Sequence, residues 1–128
     1  MAQPENLLYS KEHEWVSLDG DSATIGITDY AQSALGDIVY VELPKVGSSI
    51  KQFSTVGVIE SVKAVSDLFT PLSGEIVEVN SALENDPAAV NREPYGAGWL
   101  LKIRVADPAE AKALLSPTEY DKIVHASH

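Results

Sequence analysis

Two apolar, β-branched stretches separated by a short polar interval constrain this chain more than any other feature. Val56, Val58 and Ile59 read as one buried strand and Leu68, Phe69 and Leu72 as another, because strand-forming side chains cluster between turn signals in this way. The chain must therefore reverse within Val62 to Ser66, and Lys63 stands at the tip of a hairpin. That interval holds no Gly, Asn or Pro. The mirror-image two-residue turns, which need positive φ, are disfavoured against a type I turn. A lysine in such a place has two readings. It can be a solvated charge that protects a sheet edge, or an amine offered to solvent for covalent attachment.

The rest of the chain reads as further short strands. Trp15 to Leu18 and Ala23 to Ile27 form a first hairpin around the turn Asp19-Gly20-Asp21, a strong reversal signal. Thr28-Asp29 followed by Gln32 resembles a capping box, and Gly36 suits the stop of a helix over Tyr30 to Leu35. Gly36-Asp-Ile-Val-Tyr-Val-Glu-Leu43 is a strand ended by Pro44, with Lys45-Val-Gly47 as a turn, and its pattern returns in Gly74-Glu-Ile-Val-Glu-Val79. The recurrence implies an internal repeat, with Lys63 in the connection between the copies. The fold class expected is mainly β: two quasi-symmetric antiparallel halves facing each other in a flattened barrel or sandwich. Asp86-Pro87 suits the start of a short turn of helix, and Gly98 to Val105 is the last strong strand. Asp107-Pro-Ala-Glu110 and Ser116-Pro-Thr-Glu119 each open a helix, so the chain closes as a C-terminal helical hairpin. Trp15, Tyr95 and Trp99 are assigned to packing.

At 128 residues the chain is expected to be one module over 1–128. Apolar residues at 45% and charged residues at 22% describe an ordinary globular protein. A net charge of -10 disfavours self-association, nucleic acid phosphates and anionic lipid, and suits basic-faced protein partners. The expectation is a monomer when free, with no nucleic acid or membrane partner. The absence of cysteine excludes disulfides, thiolate metal sites and a cysteine nucleophile, so any thiol chemistry must arrive on a cofactor. His13 has no second His or Cys at metal spacing, and His125 and His128 are read as a tail, so no metal site is expected. Met1-Ala-Gln-Pro-Glu5 lacks the basic and apolar regions of a leader. That favours a bacterial cytoplasm, with the mitochondrial matrix as the place of a processed eukaryotic form. No catalytic residue is assigned, because a Schiff-base lysine needs a desolvated pocket and Lys63, between Glu60 and Asp67, sits at a solvated tip.

Glu60-Ser-Val-Lys63-Ala64 closely resembles the attachment motif of the H proteins of the glycine cleavage system. The resemblance extends through Lys11-Glu-His-Glu-Trp-Val16, Gly26-Ile-Thr-Asp29, Leu35-Gly-Asp-Ile-Val39, Val41-Glu-Leu-Pro44, Ser73-Gly-Glu75, Glu78-Val-Asn80 and Pro94-Tyr95 to Gly98-Trp99. It implies the lipoyl/biotinyl-type barrel-sandwich fold and a non-catalytic carrier with lipoic acid in amide linkage to Lys63. Ser61, Val62 and Ala64 belong to the attachment motif, and Gly47, Glu60 and Gly74 fall where lipoyl domains carry residues that present the lysine to a lipoate ligase or octanoyltransferase. The partners implied are a pyridoxal-phosphate glycine decarboxylase, a tetrahydrofolate-dependent aminomethyltransferase and an FAD- and NAD-using dihydrolipoyl dehydrogenase. The family also holds the loaded arm against the protein, so Glu14 and Asp67 are expected to line a cleft for its amine, with Leu35 in apolar contact. Glu12 differs from the small hydroxyl residue that some relatives carry there and is given no role. The alternatives are a lipoyl or biotinyl domain of another multienzyme complex, a lipoyl relay protein, or an interaction module whose lysine stays bare. Val62 and Ala64 in place of flanking methionines, and closing helices with no linker after them, weigh against the multienzyme-complex domains.

Overall fold

The computed structural model describes residues 6–126, so the expectations for Met1 to Glu5 and for His128 fall outside it. Among the described residues, nine strands make two antiparallel sheets. The large sheet runs in the order β1 (Leu8–Tyr9), β2 (Glu14–Asp19), β3 (Ser22–Ile27), β9 (Leu101–Val105), β8 (Gly74–Val79) and β5 (Ser49–Ile50). The small sheet is β4 (Ile38–Glu42), β6 (Thr55–Ser61) and β7 (Val65–Phe69). Alternate side chains turn inward: Ala23, Ile25 and Ile27 on β3, Leu101 and Ile103 on β9, Ile38 and Val41 on β4, Ile59 on β6 and Leu68 on β7 join one buried cluster. Each large aliphatic chain so buried contributes roughly 1.5–3 kcal/mol. The mainly β sandwich is thus observed, with sheets of unequal size.

The repeat is visible in the backbone. β4 slips register between Ile38 and Tyr40, and β8 slips between Ile76 and Glu78. These are the same positions in the two copies, and the residue between them, Val39 or Val77, is exposed in each. An extra residue in one strand of a pair forces such a slip and turns its side chain outward.

Local signals place most of the remaining elements. Thr28 caps α1 (Asp29–Leu35) by accepting the Ala31 N–H at 3.2 Å, and Gly36, at φ 81, ends it by donating its N–H to Gln32 at 3.0 Å. The Gln32 amide bonds the Asp29 carboxylate instead of reaching back to the cap. Gly20, at φ 64, makes the first hairpin turn. Ser116 and Glu119 form a reciprocal box at the start of α3 (Pro117–Ala126), with Ser116 N–H to Glu119 Oε1 at 2.9 Å and Glu119 N–H to Ser116 Oγ at 3.2 Å.

Four expectations need correction. The strand after Lys63 begins at Val65, before the expected end of the turn at Ser66, and it ends at Phe69, short of Leu72. Val65 is 69% exposed and pairs with Glu60, so pairing and β-branching hold it extended where burial does not. Asp86 does not cap the next helix: α2 (Ala89–Arg92) has Ala88 at its N-cap with no side-chain bond, and the Asp86 carboxylate pairs with Arg92. Asp107 caps a helix with Pro108 at its start, as expected, but the helix, Pro108–Ala113, is 3-10 and Glu110 bonds Ser73 instead of closing the box. His125 lies in the last turn of α3 beside Asp121, not in a tail. The two-residue strands β1 and β5 are too short to show periodicity, and tertiary pairing alone makes them strands.

Candidate functional site

Lys63 stands at the tip of the β6–β7 hairpin and is exposed. The tip is built by its own motif. Ser61 donates its N–H to the Ala64 carbonyl at 2.8 Å, while its hydroxyl oxygen receives the N–H groups of Lys63 at 3.3 Å and Ala64 at 3.1 Å. Val62 N–H reaches the Asp37 carbonyl at 3.0 Å and ties the tip to the segment between α1 and β4. Positive φ among non-glycine residues occurs at His13 and Phe53, not in the tip, as expected for a turn without left-handed residues. Val62 and Ala64 are exposed beside the lysine, and Glu60 lies in a cross-strand row with Tyr40 and Val65. Among the described residues no carboxylate is in ion-pair range of Lys63 Nζ.

The lysine stem leans over the end of α1. A methyl group at Gly36 would stand 3.2 Å from Lys63 Cε and 3.8 Å from Cδ and Nζ, so the missing side chain leaves room for it. Leu35, the residue before, is half-buried and packs on the core. The other end of α1 lies beside Glu14: Thr28 N–H donates to the His13 carbonyl at 3.0 Å, and Glu14 pairs with Ile27. Seven residues of helix span about 10 Å, so α1 forms a wall running from Lys63 to Glu14. β7, an edge strand, likewise starts near the tip at Val65, carries exposed Asp67 and ends at Phe69. The Phe69 N–H donates to the Glu14 carboxyl. Lys63, Leu35, Asp67 and Glu14 are thus all carried by elements that run between the hairpin tip and the buried Glu14 end.

Glu14 is 3% exposed. Burial pushes its pKa up to about 8, against the opposing pull of hydrogen bonds from the Ser10 hydroxyl and the Phe69 amide, with a small further push from Glu12. Ser10 Oγ donates to Oε1 at 2.6 Å and receives the Glu14 N–H at 3.1 Å. The hydroxyl beside the acid therefore comes from Ser10, a residue the sequence reading missed. A cavity of about 330 Å³ bordered by Ser10, Lys11, Glu12, Phe53, Phe69 and Ala113 adjoins this end, away from Lys63.

A measurement follows from the sign of that shift. The folded chain holds the Glu14 proton more tightly than the unfolded chain, whose carboxyl titrates near 4.5. Glu14's contribution to stability is full below that pH and falls by about 1.4 kcal/mol for each pH unit up to about 8. Glu14→Gln does not titrate. In urea unfolding between pH 5 and 8 the difference between the two proteins is expected to move steadily in favour of the variant, and a constant difference would show that Glu14 is not held neutral.

Gly47 and Gly74 lie elsewhere. Gly47, at φ 92, donates its N–H to the Ile76 carbonyl at 2.7 Å, and Gly74 pairs with Ile50. The fold brings these two glycines together at the β5–β8 edge of the large sheet, not at the hairpin tip. Gly74 is buried, and a methyl group on it would stand 2.2 Å from the Arg104 carbonyl oxygen, a packing reason for glycine independent of the lysine.

Comparison with known proteins agrees with this architecture. The model of the family described as "Glycine cleavage H-protein" matches residues 7–127. A glycine cleavage system H protein of Opitutus terrae is 57% identical over 122 residues, covering 94% of this chain and 96% of that protein. One of Rubrobacter xylanophilus is 56% identical over 117 residues, covering 91% and 90%. The crystal structure of a glycine cleavage system H protein from Mycobacterium marinum superposes with a TM-score of 0.83 at 41% identity, covering 93% of this chain and 96% of that one. With the family match over residues 7–127 and relatives 56–57% identical beside an exposed hairpin lysine, the chain belongs to the glycine cleavage H-protein family.

Proposed function

We propose that this chain is a single-module, non-catalytic lipoyl carrier of the glycine cleavage system, with lipoic acid joined by an amide to Lys63 Nζ. The observation that carries the reading is an exposed lysine free of ion pairs among the described residues, at the end of α1 opposite buried Glu14; we read the interval between α1 and β7 as the groove that receives the arm. An acyl arm on the amine has a reach on the order of 10 Å, matching the wall formed by α1. The residues therefore fit the group. When bound, it supplies the redox-active sulfur pair that carries the one-carbon unit of glycine, chemistry a chain without cysteine cannot provide. Ser61 shapes the turn that presents the amine, and Gly36 leaves space for the stem. Glu60, Val62 and Ala64, beside the amine, serve presentation to the ligase or octanoyltransferase; Gly47 and Gly74, away from the tip, act in presentation only through the shape of the β5–β8 edge.

The chain's own part is to present, hold and protect. A cationic amine brought to the inner end of the groove meets Glu14, which can release its proton and ionise once a positive charge shares its burial. Asp67, exposed on β7, draws the amine in from solvent and contributes less. Leu35 gives the arm apolar contact. The partners proposed are the pyridoxal-phosphate decarboxylase, the tetrahydrofolate-dependent aminomethyltransferase and the FAD- and NAD-dependent dihydrolipoyl dehydrogenase, met one at a time by a free monomer in a bacterial cytoplasm.

Two measurements test this. The mass of the native peptide containing position 63 is expected to carry a lipoyl or octanoyl increment. An unmodified peptide after expression with lipoate and a ligase that modifies a control carrier would favour a bare interaction module. With the arm loaded, Glu14→Gln combined with Asp67→Asn is expected to speed spontaneous loss of the one-carbon unit roughly tenfold. An unchanged rate would remove both acids from the cleft.

A further inference from the structure

The C-terminal helix reaches the groove through one hydroxyl. Tyr120, on α3, is fully buried with its ring stacked on Tyr9 at 4.6 Å. Its oxygen lies 2.7 Å from Thr28 Oγ1 and 2.7 Å from His13 Nδ1. Thr28 is the N-cap of α1, and His13 is the residue before Glu14. One atom of α3 therefore touches both the start of α1 and the residue before Glu14.

His13 sits at φ 69, a left-handed conformation that a residue with a side chain leaves unless its surroundings hold it. Its ring is held by the Tyr120 hydroxyl and by contact with Tyr30 at 4.7 Å between ring centroids. Burial lowers the basicity of the imidazole, partly offset by Glu12, so the ring is neutral and Nδ1 can accept. With the ring proton on Nε2, the Tyr120 hydroxyl donates to His13 and accepts from Thr28; with it on Nδ1 both bonds reverse, and in either case the Thr28 oxygen takes the Ala31 N–H. Among the described residues no buried side-chain nitrogen or oxygen is left without a partner, so this chain of bonds is complete.

We infer that Tyr120 is a positioning residue for the arm site: its hydroxyl holds residue 13 in the left-handed conformation and the N-terminus of α1 in place, and thereby sets the Glu14 carboxyl at the end of the groove. The inference rests on the reading of that groove as the resting place of the arm. Burial raises the Tyr120 pKa against the opposing pull of the Thr28 hydrogen bond, with further pushes from Tyr95, Tyr30 and Glu14. If the hydroxyl is lost, residue 13 can relax toward an ordinary φ, carrying the start of β2 with it, and water can enter beside Glu14.

The test separates the inference from the carrier reading. In the bare full-length chain, Tyr120→Phe is expected to speed hydrogen exchange at the Ala31 amide roughly tenfold. It is also expected to shift the Glu14 titration, followed by carbon-13 NMR, down toward the ordinary carboxylate range. In the loaded chain it is expected to shorten the lifetime of the one-carbon unit roughly tenfold. Ser116→Ala weakens α3 by removing its cap without touching the hydroxyl, and is expected to leave all three readings unchanged. His13→Asn keeps an acceptor near the Nδ1 position and tolerates positive φ, so it is expected to resemble the wild type, while His13→Leu is expected to match Tyr120→Phe. The inference is overturned if Tyr120→Phe leaves Ala31, Glu14 or the loaded lifetime at wild-type values, or if Ser116→Ala reproduces its effects. A chain never acylated at Lys63 would end the carrier reading instead, while the bare-chain measurements would still decide whether the hydroxyl positions Glu14.

Discussion

Lys63→Arg is expected to abolish glycine turnover in a reconstituted glycine cleavage system, by at least roughly a hundredfold, while leaving the fold intact. Arginine preserves the positive charge and the length of the side chain, but its guanidinium stays protonated and delocalised and cannot be acylated in place of an amine. The substitution thus removes the attachment chemistry and little else. Lys63 is exposed, its stem passes the side-chain-free Gly36, and its backbone N–H bond to Ser61 does not depend on the side chain. Thermal unfolding should therefore stay within about 0.5 kcal/mol of wild type. Mass spectrometry of the same samples should show no increment at position 63 in the presence of a competent ligase. Turnover that survived the substitution would mean that the cargo is carried elsewhere.

The second large effect is structural. Gly74→Ala is expected to destabilise the chain by about 3 kcal/mol and to lower its melting temperature by about 10 °C. The added methyl would stand 2.2 Å from the Arg104 carbonyl oxygen, 3.0 Å from its carbon and 3.2 Å from Ile103 Cδ1. The first two are backbone atoms of β9, paired with β8 across the middle of the large sheet, so relief requires the strands to part. Gly57 is placed similarly, 2.2 Å from the Glu42 carbonyl oxygen in the small sheet. The experiment also separates two reasons for a glycine at position 74. If packing is the whole reason, attachment at Lys63 measured well below the melting temperature should proceed at the wild-type rate. A slowed attachment would support a role in presenting the lysine, and an unchanged melting temperature would contradict the packing argument.

Elements governed by a few neighbouring residues were legible in the chain. The hairpin that carries Lys63, the cap and stop of α1 at Thr28 and Gly36, the Gly20 turn and the Ser116–Glu119 box all appear where local preferences put them. So does the repeated strand, whose two copies break register at equivalent positions. Each depends on backbone sterics or on a hydrogen bond spanning a few residues, information contained in a short window. The motif around Lys63 belongs with these, since Ser61 folds its own turn.

Tertiary structure decided the rest. Ser10, four residues away, bonds the Glu14 carboxyl, but the carboxyl's burial is tertiary: the Phe69 amide that also bonds it lies on the other sheet. The strand starting at exposed Val65 owes its extent to pairing with Glu60, and the two-residue strands β1 and β5 exist only by such pairing. Tyr120 meets His13 and Thr28 across most of the chain's length. Sequence alone determined where an amine would stand and how the chain turns to present it, since those are local sterics and hydrogen bonds. The family resemblance names Glu14, but its burial and the charge state that follows are set by desolvation, a property of the atoms that pack around a group and not of its neighbours along the chain.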